Sequence, residues 1–458
     1  MKDLTHGSVR GHIVQMTLFM LISMLMQTLY NLVDLYFVSR LGKEAVAAVS
    51  VSTNLMMIVM ALTQMLGVGA AALISHAAGR KEHERVQRLF NQSLSLSLAM
   101  GALFTVAGLL LRDGYSRAFT GDAQTQALAN QFLTWFIPAL AFQFPLNALG
   151  SALRGTGNMR PGVIGQFGTI VLNIVLAPIL IFGWLTHVAL GIQGAALATL
   201  IAILAGTVGL ALYLKRKATY LRVSFADWRP DLPTWRSMLG IGFPAGAEFG
   251  MLTVYLLFIY GLLRPFGADA QAGFGIGMRL MQSGFMPAMA VSFACAAVAG
   301  QNFGARQHAR VRETFVTGAW IVCTLMLAFT LLCRVAPSGL IGFFSGDPAV
   351  VAVGEDYLRI VSWNYVPYGL VVVGAGMFQG LGNTWPSMIS SAVRIGLIVV
   401  PAWLLSRMPD FRLPQLWWLS TASVILQMCL CLLFLRREFS RKLGIPIAAT
   451  VAAPEPAA

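Results

Sequence analysis

Residues 155–161 read GTGNMRP, and residues 380–386, which lie 225 positions later, read GLGNTWP. The glycines are typical of a tight turn, and the proline can begin the next helix because that position needs no N–H donor. The same offset relates three further pairs of windows: 42–48 with 267–273, 79–90 with 304–315, and 119–133 with 344–358. The four pairs contain 17 identities in 41 positions, with no insertion between them. The chain is therefore predicted to consist of two halves that are repeats of one structural unit.

The composition limits what the two halves can be. Of the 458 residues, 57% are hydrophobic and only 11% are charged, whereas ordinary soluble chains carry about 25% charged residues. A membrane-spanning helix needs about 20 mostly apolar residues, so the apolar residues suffice for about twelve spans. The sequence leaves no room for a large soluble domain and predicts an all-α integral membrane protein.

The apolar runs predict six helices in each half, so both halves begin on the same side of the membrane and form parallel repeats. The predicted spans are 13–37, 45–75, 89–111, 127–152, 161–184, 190–214, 237–263, 270–301, 314–336, 352–378, 386–406 and 413–435. The predicted domains are a cytoplasmic N-terminus (1–12), an N-lobe with helices 1–6 (13–214), a cytoplasmic linker (215–236), a C-lobe with helices 7–12 (237–435) and a cytoplasmic tail (436–458).

The basic residues are distributed unevenly between the two sides of the membrane. The N-terminus, the even-numbered connections and the tail carry 21 Lys and Arg, and the odd-numbered connections carry 8. This is the positive-inside bias, and it predicts that both termini are cytoplasmic. Because topology accounts for the net charge of +14, we do not expect a nucleic-acid partner.

Polar residues form a stripe on the first helix. Gln27, Asn31 and Asp34 fall at i, i+4 and i+7, which places them on one helix face. An ionisable group within a span is costly and is therefore a functional candidate. Removal from water disfavours the ionised carboxylate, so Asp34 is a candidate proton carrier. The alternative is a solvated Asp34 or a pair with Arg40.

Helix 5 repeats this pattern with neutral groups. Gln166, Thr169 and Asn173 fall at i, i+3 and i+7, and the next position on that face is Ala177. Such groups either bind a ligand or hold neighbouring helices together, and the sequence leaves both roles open.

The second half has its own ionisable residues within spans. Glu248 follows Pro244 by four residues on helix 7 and is a second candidate proton carrier. The alternative is a structural ion pair with Arg279 or Arg394. Arg394 also belongs to a polar face of the predicted span 386–406 that contains three serines. This face either holds an anionic partner or pairs internally.

The sequence contains no pattern typical of a metal or redox centre. The five Cys lie in apolar runs without paired spacing, and none of the six His forms a ligand pair. We therefore expect neither a metal site nor a cofactor.

Four segments carry a resemblance to a known family: NLVDLYFVSRLGKEAVAA (31–48), AAGRKEHERVQR (77–88), RGTGNMRP (154–161) and GQNFGARQHARVRE (300–313). Together they resemble the multidrug and toxin extrusion (MATE) transporters, from about residue 13 to residue 435. The resemblance implies a V-shaped bundle of two lobes that exports small organic cations or amphipathic drugs in exchange for H⁺ or Na⁺. It also implies a monomer, surrounded by lipid, in the plasma membrane, which is the inner membrane of a bacterium.

The resemblance further implies a cation-coupling site in the N-lobe. The family's Asp on helix 1, Asn on helix 5 and Thr on helix 6 match Asp34, Asn173 and Thr199. The acid that usually follows the Asn by four residues is Ala177 here. Because Na⁺ needs several hard oxygen ligands, whereas one carboxylate can carry a proton, we expect H⁺ rather than Na⁺ as the coupling ion.

The expected substrate cavity is lined by polar residues from both lobes. These are Gln27, Tyr30, Asn31, Gln166, Thr169, Glu248, Arg279 and Arg394. Protonation of Asp34, with Glu248 as a second group, is expected to bias the inward-open against the outward-open state.

Three alternative functions remain open for this sequence. A lipid-linked-precursor flippase of the same broad fold needs a more cationic cavity, and here only Arg279 and Arg394 supply charge. A major-facilitator transporter shares parallel repeats, but its signature loops are absent from this sequence. An integral-membrane enzyme needs a catalytic constellation such as clustered His and Asp, which the sequence lacks.

Overall fold

The computed structural model describes residues 2–184, 187–217, 221–224 and 228–444, except for the side chains of Asn31 and Lys217. In this part of the chain the structure is helical and contains no strand. The α-helices in chain order are α1 (Val9–Ser39), α2 (Lys43–Gly79), α3 (His83–Phe119), α4 (Ala123–Gly155), α5 (Arg160–Phe182), α6 (Ile192–Lys217), α7 (Leu232–Leu263), α8 (Gly267–Gly304), α9 (His308–Val335), α10 (Pro337–Gly342), α11 (Pro348–Val361), α12 (Tyr365–Gly380), α13 (Trp385–Leu405) and α14 (Leu413–Leu443).

The length and hydropathy of these helices agree with the predicted spans. Among the described residues, 11 continuous helical stretches are long and apolar enough to cross a membrane. One of them, Leu232–Gly304, has 73 residues, far more than the roughly 20 that one span requires. It divides at Gly267, where φ is +89°, into α7 and α8. The chain is thus a multi-pass, all-helical membrane protein.

The predicted span at 352–378 lies within the helical stretch Pro348–Gly380, which contains a 3-10 turn that was not predicted. In the structure α11 ends at Val361, a 3-10 turn covers Ser362–Asn364, and α12 follows. Pro367 lies in the first turn of α12. Since proline has no N–H, it cannot donate to the carbonyl of Trp363 as an α-helix requires, and the helix is interrupted there.

Helices also extend beyond the predicted lipid-facing runs. α1 begins at Val9, α7 begins at Leu232 and α14 continues to Leu443, so the predicted N-terminus, linker and tail each give residues to a helix. Hydropathy marks only the part of a helix that needs an apolar environment, whereas the backbone hydrogen bonds continue into charged ends. The rest of the linker at 218–220 and 225–227, and the tail from residue 445, lie outside the described residues.

The repeat is visible in the backbone. α3, α4 and α5 begin 225 residues before α9, α11 and α13. The turns repeat as well, because Lys81 has φ +61° and Arg306 has +59°, while Gly157 has +73° and Gly382 has +70°. At the two glycines this left-handed conformation carries no steric penalty. The turns of the two halves therefore have the same geometry.

The N-terminal caps of α4 and α11 repeat in the same register. Asp122 accepts a hydrogen bond from the backbone N–H of Thr125 at 2.7 Å, and Asp347 accepts one from the N–H of Ala349 at 2.9 Å. Each carboxylate pairs a helix-end donor that would otherwise lack a partner. The hydrogen bond from Thr125 holds the pKa of Asp122 below its ordinary value.

Packing groups the chain into two compact units. Of the described residues, the first contains Phe19–Gly246, and the second contains Leu4–Leu18 and residues 247–444. The first half of α7 belongs to the first unit because Gly69 on α2 and Gly242 on α7 allow the two backbones to approach closely. A β-carbon at Gly69 would lie 1.9 Å from the carbonyl oxygen of Met238, and one at Gly242 would lie 1.6 Å from that of Met65. The predicted lobes, 13–214 and 237–435, follow the repeat and stay a prediction.

A helix crossing in each unit uses one glycine and one serine. In the first unit, a β-carbon at Gly67 on α2 would lie 2.4 Å from Asn147 Oδ1 and 2.7 Å from the Ser151 hydroxyl, both on α4. In the second unit, a β-carbon at Gly376 on α12 would lie 2.6 Å from the Ser292 hydroxyl on α8. Gly67 and Ser292 are equivalent under the 225-residue offset, as are Ser151 and Gly376. The two crossings therefore use the same two positions with glycine and serine exchanged, although Asn147 contributes only to the first.

Side-chain amides of α3 bind the backbone of the linker. Gln87 donates to the carbonyl of Arg222 and accepts from its N–H at 2.8 Å. Asn91 donates to the same carbonyl at 3.2 Å and accepts from the N–H of Ser224 at 3.0 Å. These side chains pair the linker backbone much as a neighbouring strand would, so the described part of the linker is fixed to the first unit.

Candidate functional site

Asp34 lies on α1 in a partly buried position. Its Oδ1 atom is shielded from solvent and has no hydrogen-bond partner among the described residues. The alternative pairing with Arg40 does not form, because the guanidinium of Arg40 stacks on the Tyr36 ring at 4.9 Å and donates to the Tyr36 hydroxyl. The carboxyl of Asp34 therefore retains an unused acceptor in a partly dehydrated environment.

The other two predicted coupling residues are in direct contact. Asn173 is 1% exposed and Thr199 is 4% exposed, and the Asn173 amide donates to Thr199 Oγ1 at 3.3 Å. The Thr199 hydroxyl donates to the carbonyl of Ala195, so it accepts from the Tyr30 hydroxyl, which lies 3.3 Å away. Tyr30 is one helical turn before Asp34 on α1. The structure thus joins α1, α5 and α6 in one polar network.

This network contains a second unused acceptor. Asn173 Oδ1 is buried and has no hydrogen-bond partner among the described residues. Ala177, one turn further along α5, is fully buried and packs in the hydrophobic core of the first unit. An unpartnered buried oxygen is costly, and two of them, on Asp34 and Asn173, mark this network as a place for a proton or a ligand.

A second polar layer connects α1 to α5. The Gln166 amide donates to Gln27 Oε1 at 3.1 Å, and the Ser23 hydroxyl donates to Gln166 Oε1. The hydroxyl of Thr169 donates to the carbonyl of Gly165 in its own helix at 3.0 Å. Gln27 and Gln166 therefore meet, as a shared cavity requires, while the Thr169 donor is already used. The side chain of the predicted residue Asn31 lies outside the described residues.

The second unit contains a separate polar cluster around Glu248. Its carboxyl takes hydrogen bonds from Ser387 and Ser391 of α13, and its Oε1 atom is shielded and has no partner within the described ranges. Gln427 of α14 donates to the Ser391 hydroxyl at 3.1 Å. Gln427 is 2% exposed, and its own Oε1 also has no hydrogen-bond partner among the described residues.

Arg394 is part of this cluster without pairing with the acid. Its guanidinium lies over the rings of Tyr255 at 5.5 Å and Tyr368 at 5.7 Å, and it forms no ion pair in the described part of the chain. Arg279 lies exposed on α8 and likewise forms no ion pair with a described residue. Neither of the proposed structural ion pairs of Glu248 is therefore present.

Sequence reasoning missed three residues of the second cluster: Tyr255, Tyr368 and Gln427. Tyr255 follows Glu248 by seven residues on α7, which places it on the same helix face, and this spacing was available as a signal. Tyr368 and Gln427 lie in apolar runs, where a single aromatic or amide residue resembles ordinary core. Only packing shows that these two residues face the acid and the guanidinium.

The two clusters occupy different positions in the repeat. Glu248, Ser391 and Arg394 correspond under the 225-residue offset to Ser23, Gln166 and Thr169. Conversely, Asp34, Asn173 and Thr199 correspond to Ile259, Ile398 and Val424. The first unit is therefore neutral where the second is charged, and the second is apolar where the first holds its carboxylate. In the described residues no three His, Cys, Asp or Glu cluster in a way that could hold a metal ion.

Comparison with known proteins identifies the family of this chain. The sequence profile of the MatE family matches residues 20–179 and 244–404, one segment in each half. The chain belongs to this family of multidrug efflux transporters, and the members of the family are transporters rather than enzymes.

Individual relatives are distant but similar over most of their length. The probable multidrug resistance protein YoeA of Bacillus subtilis is 25% identical over 403 residues, which cover 87% of each chain. The probable multidrug resistance protein NorM of Thermotoga maritima is 26% identical over 432 residues, which cover 93% of this chain and 92% of NorM.

Solved structures share the fold. A crystal structure described as MATE in the bent conformation superimposes with a TM-score of 0.90 and 24% identity, covering 96% of this chain and 98% of the other. A MOP superfamily transporter from Pyrococcus furiosus superimposes with a TM-score of 0.86, and 98% of each chain is covered. At this level of identity the likeness establishes the fold alone.

Proposed function

We propose that this protein is a secondary active antiporter that exports organic cations or amphipathic drugs in exchange for H⁺. Its place is the plasma membrane, which in a bacterium is the inner membrane, with both termini in the cytoplasm, and it works as a monomer. Membership of the MatE family and the multidrug resistance names of relatives such as YoeA and NorM support drug export. The unequal distribution of basic residues supports the topology.

The observation that carries the proposal is the state of Asp34. It is the only acid within α1, α5 and α6, its Oδ1 is shielded and has no partner among the residues that the structure describes, and it lies one turn from the Tyr30–Thr199 hydrogen bond. A carboxylate in such a place is costly when ionised and unpaired. It can be stabilised either by a proton or by a cationic substrate, and these two therefore compete for one group.

Protonation changes what Asp34 can do as well as its charge. An ionised carboxylate only accepts hydrogen bonds, whereas a protonated one gains an O–H donor. Asn173 Oδ1, a buried acceptor without a partner, is the kind of group that such a donor needs. A new hydrogen bond between α1 and α5 would favour one arrangement of these helices over another, which is how binding a proton can shift a conformational equilibrium.

The residues of the first unit favour H⁺ over Na⁺ as the coupling ion. Sodium sites in transporters are built from several oxygen ligands. Here Ala177 replaces a carboxylate, and its buried position in the core leaves no polar atom at that place. A single carboxyl with a neutral amide nearby meets the needs of a proton better than those of a metal cation.

Transport in proteoliposomes tests the proposal. Export of a fluorescent organic cation is measured with an imposed pH gradient and, separately, with an imposed Na⁺ gradient. We expect the pH gradient to drive export by the wild-type protein and Asp34→Asn to abolish it, because the amide keeps the shape but cannot exchange a proton.

Asp113→Asn is the matched control. Asp113 is an exposed acid at the outer end of α3 and pairs with Arg112 at 3.0 Å, so this variant should export normally. Undiminished gradient-driven export by Asp34→Asn would remove Asp34 from the mechanism, and export driven only by Na⁺ would overturn the choice of ion.

A further inference from the structure

Two groups of opposite charge lie in the second unit without pairing with each other. Glu248 and Arg394 are both partly buried. Both are close enough to the hydroxyl of Tyr368 to interact with it electrostatically. Opposite charges in a partly dehydrated place normally pair, because an isolated buried charge is costly. Their separation therefore needs a reason.

Each group is held away from the other by its own neutral partners. Ser387 and Ser391 hydrogen-bond the Glu248 carboxyl, while the guanidinium of Arg394 is held over the rings of Tyr255 and Tyr368. A cation over aromatic faces is stabilised without using its N–H donors. The N–H groups of Arg394 make no hydrogen bond to a described residue, so they remain available.

The acid side of the cluster also has unused capacity. Oε1 of Glu248 and Oε1 of Gln427 are both shielded from solvent, and neither has a hydrogen-bond partner in the described part of the chain. The hydrogen bond from Gln427 to Ser391 and that from Ser391 to Glu248 place these two oxygens in one connected group. Two acceptors of this kind suit an ammonium group, which carries only donors.

The first unit provides an internal comparison. At the equivalent positions it has Ser23, Gln166 and Thr169, whose donors are used within the protein. The same location in the fold is thus internally satisfied and neutral in one unit but charged and unsatisfied in the other. The open hydrogen-bonding capacity belongs specifically to the second unit.

We infer that Glu248 and Arg394 form a two-charge subsite that selects ligands carrying an anionic group beside a cationic amine. The amine binds the oxygens of Glu248 and Gln427, and the anionic group binds the guanidinium of Arg394, which is therefore the specificity-determining residue. The inference rests on the proposed export function and specifies the charge pattern that this unit prefers.

A matched pair of dyes tests the subsite. Rhodamine 110 carries a free carboxylate beside its cationic ring system, and rhodamine 123 is its methyl ester and carries only the cation. Binding of each dye to the purified wild-type protein and to Arg394→Gln is measured by fluorescence polarisation. We expect the variant to bind rhodamine 110 about tenfold more weakly, the loss typical of a charge-assisted hydrogen bond, and to bind rhodamine 123 as tightly as the wild type or more tightly.

Two further variants separate specificity from folding. Arg394→Lys keeps the charge and should restore much of the preference for rhodamine 110. Arg407→Gln removes an arginine that stacks on Trp403 at 4.3 Å just beyond the end of the same helix, and it should change the binding of neither dye.

Equal weakening of both dyes in Arg394→Gln would indicate a structural role and overturn the inference, as would no change in either dye or no binding of rhodamine 110 by the wild-type protein. These outcomes concern binding, so they are distinct from a failure of gradient-driven export, which would count against the proposed function instead.

Discussion

Ala177 is the residue that most clearly distinguishes the proposed coupling site from a site with two carboxylates. It is fully buried and lies one turn beyond Asn173 on α5, the position at which the resemblance to the family implies a second carboxylate. A methyl group at this position leaves Asp34 as the only acid that α1, α5 and α6 can offer to a cation. The choice of coupling ion is therefore expected to depend on this one side chain.

Restoring an acid at this position should restore sensitivity to Na⁺. In Ala177→Asp, a second carboxylate joins Asp34 and the unpartnered Asn173 Oδ1, giving the several oxygen ligands that a sodium ion requires. We expect an imposed Na⁺ gradient to drive export of the fluorescent cation by this variant and not by the wild-type protein. The measurement is the proteoliposome assay described above.

The control for this change is Ala177→Asn, which adds a similar volume without charge. Both variants place a polar group in a packed core and should lower thermal stability, so melting of the purified proteins identifies loss of folding. A folded Ala177→Asp protein whose export ignores Na⁺ would show that the ion is not selected here.

How well the candidate site could be predicted depended on the type of residue. Asp34, Glu248 and Arg394 were identifiable because a charge in an apolar run is costly and therefore conspicuous. Tyr368 and Gln427 were not, since their role follows from which neighbour they face, and that is decided by packing. The absence of an ion pair between Glu248 and Arg394 was equally invisible, because it depends on distances between helices.

Among the helices, the Gly67–Ser151 crossing of α2 with α4 allows a direct test of the repeat. The equivalent crossing in the second unit has Ser292 and Gly376 with the roles reversed. Each crossing holds one hydroxymethyl group and one bare backbone. The space between the helices thus fits one side chain, whichever helix supplies it.

Gly67→Ser alone should be destabilising, because two side chains then occupy the space of one. Overpacking of this kind costs about 1–3 kcal/mol. Adding Ser151→Gly removes one of the two clashing groups and should recover part of the lost stability, since Asn147 Oδ1 still lies 2.4 Å from a β-carbon at position 67. Thermal unfolding in detergent, followed by intrinsic fluorescence, measures both variants.

Ser151→Gly alone is the control, because it measures separately the cost of losing the hydroxyl that donates to Asn147 and accepts from Arg154. If the double variant is no more stable than Gly67→Ser, the two residues do not compete for one space and the equivalence of the crossings fails.

The order of helices and the positions of the turns were predictable from the repeat, because turn residues such as Gly157 and Gly382 are fixed by backbone conformation. The interruption at Ser362–Asn364 was not predicted, although Pro367 was present in the sequence. A proline near the start of a helix and one within a helix look alike in a hydropathy profile. The difference lies in whether the preceding carbonyls find other partners.

In the molecule as a whole, the linker is the segment that joins the two repeats, and its described part is held by α3. The amides of Gln87 and Asn91 bond the backbone of Arg222 and Ser224. Proteolysis requires the chain to leave such contacts and extend into a protease. Cleavage after Arg222 is therefore expected to report on these four hydrogen bonds.

Replacing both amides should expose this bond. In the double variant Gln87→Ala/Asn91→Ala we expect trypsin to cut after Arg222 roughly tenfold faster than in the wild-type protein, as the loss of about 1–2 kcal/mol of local stability implies. The cleavage product is quantified by mass spectrometry. Because the linker is proposed to be cytoplasmic, cleavage should occur in inside-out membrane vesicles and not in right-side-out ones.

Gln124→Ala, which removes an exposed amide at the start of α4, serves as the control and should leave the rate unchanged. Equal cleavage of the double variant and the wild-type protein would mean that the amides do not restrain the linker. Cleavage in right-side-out vesicles would reverse the proposed topology.

The exchanged glycine and serine also constrain how the two halves can have diverged. If both halves descend from one duplicated ancestor, Gly67 and Ser292 began as the same residue, and so did Ser151 and Gly376. Reversal of the pair in one half takes two substitutions, and the intermediate has either two serines or two glycines. Two serines would overfill the crossing, whereas two glycines leave only a small cavity. The favoured order of substitutions therefore passes through an intermediate with glycine at both positions of the crossing.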